Sequence, residues 1–184
     1  MKKSKWYLIG LAFLLGGAWV FADGATVKPD STHGLEATTC QIRNVKHQEL
    51  LRPRDANNAN GTPIVLYPAQ PWKCMTWKIQ PAGESAFLLR NLFTAKTFSA
   101  AADASALQQP VTQVPLAKDG EGAPKWQLAR LEDGSYKIID SKSGKALTAL
   151  KEAGSSLKII VAAWENKAEQ KWELLPIDPK ELTM

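Results

Sequence analysis

The segment Gln170-Lys171-Trp172-Glu173-Leu174, near the end of the chain, decides the fold because it occurs three times. Its two earlier copies are degenerate, Met75-Thr76-Trp77-Lys78-Ile79 and Lys125-Trp126-Gln127-Leu128, and the three tryptophans are separated by 49 and 46 residues. A period of roughly 20–50 residues indicates that one supersecondary unit has been repeated along a chain. The sequence therefore predicts three units, at about residues 40–80, 86–130 and 135–177.

The units also open alike. Asn44, Asn91 and Asp140 each follow a short apolar run, and they are separated by 47 and 49 residues. Within a unit, about four short apolar or alternating runs are divided by turn residues such as Asp119-Gly120 and Ser143-Gly144. No window of helical length after residue 22 keeps a 3.6-residue apolar period, which predicts an all-β protein.

Three units of four strands can be arranged in two ways. A propeller with three blades is disfavoured, because propellers usually have at least about four. In the alternative, each unit gives two strands to a closed barrel and two to a hairpin cap, which leaves no exposed sheet edge in the barrel. We expect this second architecture.

The first 22 residues have the pattern of a secretory signal peptide. Three lysines precede the apolar stretch Trp6–Phe21, and Ala22 is the last residue before the predicted cleavage site. An uncleaved anchor is the alternative, but this stretch is shorter than the roughly 20 residues that a membrane-spanning helix needs. We expect a secreted or periplasmic protein without a stable membrane span after cleavage, with a flexible leader at 23–39 and a C-terminal tail at 178–184.

The net charge of +5 is concentrated at the N-terminus. Three of the 23 basic residues lie before residue 22 and no acid precedes Asp23, so the remaining chain has 20 basic and 18 acidic residues, a net charge of +2. Because this small charge is mixed along the chain, the composition argues against a nucleic-acid partner.

Three stretches resemble the ricin-type lectin family. Gln170-Lys171-Trp172 matches its Gln-x-Trp signature, Ser143-Gly144-Lys145-Ala146-Leu147 resembles its Ser-Gly-Lys-Cys-Leu turn and strand, and residues 60–67 resemble its Asn-Gly-Thr-x-Val-x-Leu-Trp run. The resemblance covers about residues 40–177 and implies a β-trefoil of three four-stranded units. A large ring that enters the barrel once per unit anchors a threefold core, so the predicted core tryptophans are Trp77, Trp126 and Trp172.

The resemblance also implies where sugar would bind. The family holds sugar with an aspartate after the second strand of a unit, an aromatic ring after the third strand, and an Asn-Gln pair ahead of the tryptophan. Here the aspartate position is occupied by Arg52, Ser99 and Thr148, and unit two has no ring. The candidate carbohydrate-binding residues are Trp164, Asn166, Gln170 and Thr148 in unit three, and Tyr67, Trp72, Arg52 and Asp55 in unit one.

The charged residues of unit one have two interpretations. Arg52 and Arg54 beside Asp55 fit an acidic sugar, whose carboxylate an arginine would hold by a bidentate contact. They equally fit a solvated loop with a local ion pair, which contributes little to stability at a protein surface.

Cys40 and Cys74 are the only cysteines of the chain. In an oxidising compartment such a pair predicts one disulfide, which would stabilise the fold by about 3–4 kcal/mol. A metal site is the weaker interpretation, because the two histidines, His33 and His47, offer no paired spacing. Neither histidine has an evident partner for nucleophilic catalysis, so we expect a protein without metal, cofactor or enzymatic activity.

Two classes of function remain. The first is an exported carbohydrate-binding protein with partly degenerate sugar sites. The second is a cell-binding or assembly subunit of a bacterial multi-component toxin of the cytolethal distending type, which acts by protein–protein contact, since the resemblance implies that such subunits often lose the sugar-site aspartates. A Kunitz-type inhibitor has less support, because the tryptophan repeat belongs to the lectin pattern.

Overall fold

Twelve β-strands lie within residues 38–100, 109–117, 120–151 and 157–183, the part of the chain that the computed structural model describes. The strands are β1 Thr38–Asn44, β2 Leu50–Pro53, β3 Ile64–Tyr67, β4 Thr76–Pro81, β5 Phe87–Asn91, β6 Thr97–Ser99, β7 Thr112–Val114, β8 Trp126–Arg130, β9 Tyr136–Asp140, β10 Ala146–Leu150, β11 Lys158–Ala162 and β12 Lys171–Pro176. Four short 3-10 helices, Arg54–Ala56, Lys73–Met75, Ala168–Gln170 and Pro179–Glu181, connect or follow them. The described residues contain no α-helix, and the predicted all-β class is confirmed.

Six of the strands form a closed barrel. β1, β4, β5, β8, β9 and β12 pair antiparallel in a ring, and β12 returns to β1 with Cys40 opposite Pro176 and Asn44 opposite Trp172. The other six form the hairpins β2–β3, β6–β7 and β10–β11, one in each unit. The predicted division of each unit into two barrel strands and two hairpin strands is confirmed.

A buried tryptophan lies at or near the start of the last strand of each unit: Trp77 on β4, Trp126 on β8 and Trp172 on β12. The ring of Phe98 lies between two of them, with its centroid 5.1 Å from that of Trp77 and 4.9 Å from that of Trp126. Trp172 is the third. Each indole Nε1–H donates to a carbonyl on the second strand of its own unit, at 2.9 Å to Leu51, 3.4 Å to Phe98 and 3.0 Å to Leu147. The polar edge of each ring is therefore satisfied inside an apolar core.

The asparagines that open units one and two each tie their own unit to the end of another unit. Asn91 is fully buried, its Nδ2 donates to the carbonyl of Cys74 at 2.9 Å, and its Oδ1 accepts from the backbone N–H groups of Phe93 and Thr94 at 3.1 Å each. Asn44 donates in the same way to the 3-10 helix that precedes β12. Each asparagine side chain therefore closes its own turn and fastens the end of a neighbouring unit.

The predicted disulfide is not formed in the structure, where Cys40 and Cys74 are both free thiols. Cys40 lies inside β1 and packs in the main core with Trp77, whereas Cys74 lies in the 3-10 helix before β4 and packs with Leu50 and Met75 in a second, smaller cluster. The two thiols thus belong to different apolar clusters. The number of cysteines in the sequence could not tell on which side of its element each side chain would lie.

Burial of these thiols predicts a loss of stability at alkaline pH. Burial raises the pKa of the Cys40 thiol to about 12. Because the unfolded thiol ionises near pH 9, the free energy of unfolding falls by up to about 1.4 kcal/mol per pH unit between the two values. In reducing buffer, Cys40→Ala is expected to show a smaller drop in urea midpoint between about pH 7 and about pH 10 than the wild type. An equal drop in both proteins would contradict this assignment.

The structure describes little of the predicted N-terminal segments. The predicted signal peptide, 1–22, lies outside the described residues, as does the predicted leader as far as residue 37, and β1 already includes residues 38 and 39. In the described part of the chain, no helix has the length and apolar character needed to cross a membrane.

Candidate functional site

Unit one presents an aromatic surface. Tyr67 ends β3 and Trp72 precedes the 3-10 helix Lys73–Met75, and their ring centroids are 6.0 Å apart at an interplanar angle of 32°. Tyr67 is 38% exposed, whereas Trp72 is half-buried and packs on the smaller apolar cluster that contains Cys74. Because the indole of Trp72 packs against this cluster, Tyr67 and Trp72 together form an ordered apolar surface at the rim of the unit.

Arg52 lies against one face of Tyr67. Its Cζ is 3.8 Å from the centroid of the Tyr67 ring, which is a cation–π contact. Its Nη2 lies 3.9 Å from Oδ1 of Asp55, and the Arg52 side chain is 8% exposed while that of Asp55 is 83% exposed. The structure therefore brings together Arg52, Tyr67, Trp72 and Asp55, all of the candidate residues of unit one. The exposed carboxylate of Asp55 lies beside Arg52, which occupies the position where the sequence resemblance implies a sugar-binding aspartate.

The guanidinium of Arg52 is incompletely satisfied. Its Nε is buried and has no hydrogen-bond partner among the described residues. The neighbouring Cys74 thiol has its pKa raised by burial, and the charge and hydrogen bond of Arg52 offset part of this rise. The thiol stays neutral at physiological pH, so Asp55 is the carboxylate that opposes the charge of Arg52 at this surface.

The C-terminal residues hold the loop that carries Trp72. The backbone N–H of Thr183 donates to the carbonyl of Pro71 at 2.8 Å, and the N–H of Lys73 donates to the carbonyl of Thr183 at 3.3 Å. Trp72 and Thr183 thereby form a parallel β-bridge. The predicted tail, 178–184, docks on unit one of its own chain through residue 183 and positions the aromatic surface.

In unit three, the predicted polar groups are engaged with each other. Gln170 is 2% exposed, its Nε2 donates to the carbonyl of Ala163 at 2.6 Å and to Oγ1 of Thr148 at 3.2 Å, and its Oε1 accepts from the N–H of Glu165 at 2.7 Å. Thr148 is also buried. Gln170 therefore fastens the backbone on both sides of Trp164 and has little surface for a ligand.

The other two candidate residues of unit three, Trp164 and Asn166, form a smaller surface than the aromatic surface of unit one. Trp164 is half-buried, Asn166 is exposed, and the Nζ of Lys137 lies 5.1 Å from the centroid of the Trp164 ring. Lys137 lies on β9, 27 residues before Trp164, and no motif identified it in the sequence. Its contact gives Trp164 a cationic neighbour, as Arg52 does for Tyr67.

Unit two has fewer groups that could bind a sugar than units one and three. Its counterpart of the acidic position, Ser99, donates its Oγ–H to the carbonyl of Ala100 at 2.8 Å, and the aromatic position has Val114 and Pro115 instead of a ring. Among the described residues, no group of three or more histidine, cysteine, aspartate or glutamate side chains is placed to hold a metal ion.

The chain is similar to solved structures of low sequence identity. The designed threefold-symmetric protein ThreeFoil matches with a TM-score of 0.67 and 19% identity, over 76% of this chain and 99% of that one. The Rhizoctonia solani agglutinin matches with a TM-score of 0.63 and 19% identity, over 80% and 100% of the two chains. The cytolethal distending toxin from Actinobacillus actinomycetemcomitans matches with a TM-score of 0.60 and 15% identity, over 76% and 91%. The chain has the β-trefoil fold.

The sequence comparisons add no closer relationship to this β-trefoil. No protein-family model matches the sequence, and no curated protein does. Some structural similarities concern part of a longer chain, such as an exo-beta-1,3-galactanase from Clostridium thermocellum, of which the similar region is 31%. Identities this low show the fold alone, so function has to be argued from the site.

Proposed function

We propose that this β-trefoil is an exported, non-catalytic carbohydrate-binding protein of the ricin lectin type that holds sugar at unit one. The surface formed by Tyr67, Trp72 and Arg52 carries the proposal. A sugar ring has C–H bonds on its faces and hydroxyls around its edge, so a flat apolar surface with convergent polar groups suits it. The Tyr67 face opposite Arg52 receives the sugar, Asp55 accepts from its hydroxyls, and Arg52 supports the ring from the other face.

Unit one is favoured over unit three because its carboxylate is available. The Asp55 side chain is 83% exposed, and the buried Arg52 guanidinium supports the Tyr67 ring beside it. In unit three the Gln170 amide and the Thr148 hydroxyl bind each other and the local backbone, which leaves Trp164 and Asn166 for a secondary site.

The carboxyl groups at the unit-one surface support binding without catalysis. Hydrolysis of a glycosidic bond by the usual mechanism needs two carboxyl groups on either side of the scissile bond. At the unit-one surface, the described residues supply one carboxyl group, that of Asp55, beside the cation Arg52.

Export is supported by the lysines and the apolar stretch Trp6–Phe21 at the N-terminus of the sequence.

Binding of wild-type protein to a glycan array, displayed multivalently, tests the proposal, and the affinity for the best glycan is then measured by calorimetry. Tyr67→Ala is expected to lower this affinity about tenfold or more, because the variant loses both the stacking ring and the support that the ring gives to Arg52. Trp164→Ala is expected to lower it by less than about threefold, because unit three serves as a secondary site.

Phe93 provides the matched control. Among the described residues it is the other large exposed aromatic side chain, 47% exposed, and it lies in the turn after β5, outside the ring contacts of Tyr67, Trp72 and Arg52. Phe93→Ala is expected to bind as the wild type does, with folding of every variant checked by circular dichroism. Loss of binding with Trp164→Ala but not with Tyr67→Ala would move the site to unit three, and a folded wild type that binds no glycan would refute the sugar function.

The second candidate function is that of a subunit in a bacterial multi-component toxin. The similarity in fold and length to a chain of the cytolethal distending toxin favours it, as does the absence of an acidic residue at positions 52, 99 and 148. A subunit of this kind would bury about 800 Å² of its surface against each partner. It therefore requires a docking surface separate from the shallow sugar site.

A further inference from the structure

A large cleft lies outside the proposed unit-one sugar site, and its lining includes the buried Thr148 and Gln170 of unit three. Its volume is about 1330 Å³, and its described walls come from the hairpin β10–β11, the loop 163–170 and the turns that open units one and three. Tyr67, Trp72 and Arg52 are not among its lining residues. The cleft is therefore a separate surface of the β-trefoil, and the argument for it does not depend on sugar binding.

The rim of the cleft is positively charged. Six lysines and three carboxylates belong to its described lining, and two of these carboxylates are already engaged. Asp140 accepts from the hydroxyl of Ser143 at 2.6 Å, and Glu165 forms an ion pair with Lys167. One carboxylate, that of Glu169, remains near five lysines that have no ion pair among the described residues: Lys46, Lys125, Lys142, Lys145 and Lys151.

The floor of the cleft is aliphatic. Leu150, Ile160 and Val161 line it together with several alanines, and the described lining contains no tryptophan, tyrosine or phenylalanine. A sugar or a nucleobase would lack a ring on which to stack. Aliphatic side chains from a partner would instead be buried against this floor, while the lysines above it attract carboxylates.

We propose that this cleft binds an acidic segment of a partner protein, one in which carboxylate and aliphatic side chains are mixed. The lysine rim supplies charge complementarity, and the aliphatic floor supplies apolar burial. The volume exceeds the roughly 300–1,000 Å³ of typical small-molecule sites, which suits a chain segment. Lysine ammonium groups act as separate point charges, so the rim suits carboxylates spread along a peptide.

Fluorescence anisotropy with a short labelled peptide of Glu-Glu-Leu repeats tests this proposal. The wild type is expected to bind this peptide and not its Lys-Lys-Leu counterpart, with an affinity that falls as salt is added. The double variant Lys142→Glu with Lys145→Glu is expected to lower the affinity by at least about tenfold, because two attractive charges become repulsive. Lys46→Glu with Lys151→Glu is a second cleft variant with the same expectation.

The control has the same change in net charge at other positions. Arg90 on β5 and Lys180 in the C-terminal 3-10 helix are exposed and do not line the cleft, so Arg90→Glu with Lys180→Glu is expected to bind the peptide as the wild type does. Tyr67→Ala is also expected to leave peptide binding unchanged, which separates a failure of this proposal from a failure of the sugar function.

Several results would overturn the proposal. An equal loss in the control double variant would show a non-specific charge effect, and equal binding of a Glu-Glu-Ser peptide would remove the role of the aliphatic floor. A sulfated oligosaccharide that binds more tightly than the peptide and displaces it would make the cleft a polyanion site. Dimerisation in sedimentation experiments that the cleft variants abolish would identify the occupant as a second copy of this chain.

Discussion

Trp77→Ala is expected to destabilise the β-trefoil by about 3–5 kcal/mol, the usual cost of removing a fully buried large aromatic side chain. The substitution removes the edge-on contact with Phe98 and leaves the carbonyl of Leu51 without its donor. The free energy of unfolding in urea, followed by far-ultraviolet circular dichroism, measures the effect. Trp77→Phe is expected to cost less than the alanine variant, since it keeps most of the ring and loses the Nε1–H.

Trp164→Ala is the matched control for Trp77→Ala. Trp164 is a tryptophan of the same size, but it is half-buried and its ring contact is with Lys137. We expect a loss below about 2 kcal/mol, because less apolar surface is exposed when a partly buried ring is removed. Equal losses at positions 77 and 164 would contradict the assignment of the repeated tryptophans to the core.

Asn91→Ala is expected to have the second largest effect, about 2–4 kcal/mol. The variant removes the buried donor to the carbonyl of Cys74 and the acceptor of two backbone hydrogen bonds, one from the N–H of Phe93 that is partly buried and one from the N–H of Thr94 that is buried. Buried polar groups that lose their partners cost about 1–3 kcal/mol each, with partial relief if solvent reaches the turn. The urea unfolding curve again provides the measurement.

Asn58→Ala and Asn91→Asp define what the Asn91 side chain contributes. Asn58 is exposed, so its replacement is expected to change stability by less than about 0.5 kcal/mol. Asn91→Asp keeps the acceptor and loses the donor at neutral pH, as Asp140 does naturally in unit three. A stability of Asn91→Asp equal to that of the wild type would show that the amide donor does not fasten unit one to unit two.

The two proposed binding surfaces have different physical characters. The unit-one surface combines an exposed ring with Arg52 and Asp55, which suits the mixed apolar and hydroxyl character of sugar. The cleft combines a lysine rim with an aliphatic floor and suits an acidic peptide. A protein that attaches to a glycan and also docks a partner would use both surfaces at once, since they share no lining residue.

The fold was predictable because its evidence is local and repeated. Trp77, Trp126 and Trp172 recur at nearly equal spacing, and the short alternating runs between them predicted strands without reference to long-range contacts. The exact ends of the strands were not predictable in this way, and β1 begins at Thr38. Strand ends depend on pairing partners, and here Thr38 pairs with Ile79 on β4, far along the chain.

The candidate site was less predictable because side-chain contacts depend on packing. The sequence indicated Arg52, Tyr67 and Trp72 as candidates, but their stacking arises from the pairing of β2 with β3 and from the C-terminal residues that hold residues 71–73. The Cys40–Cys74 disulfide failed for a related reason. Spacing along a chain does not state which apolar cluster a side chain enters.

The amino-acid sequence alone was sufficient to predict the threefold barrel. A repeat in the sequence becomes a repeat in space, because every copy buries its tryptophan in one shared core. The ranking of the sugar sites required the folded structure. Gln170 matched the expected sugar-binding position, yet its amide is occupied by Thr148, 22 residues away, and by the loop around Trp164. Hydrogen bonds between distant residues form only when the chain is folded, and they decide which polar groups remain free for a ligand.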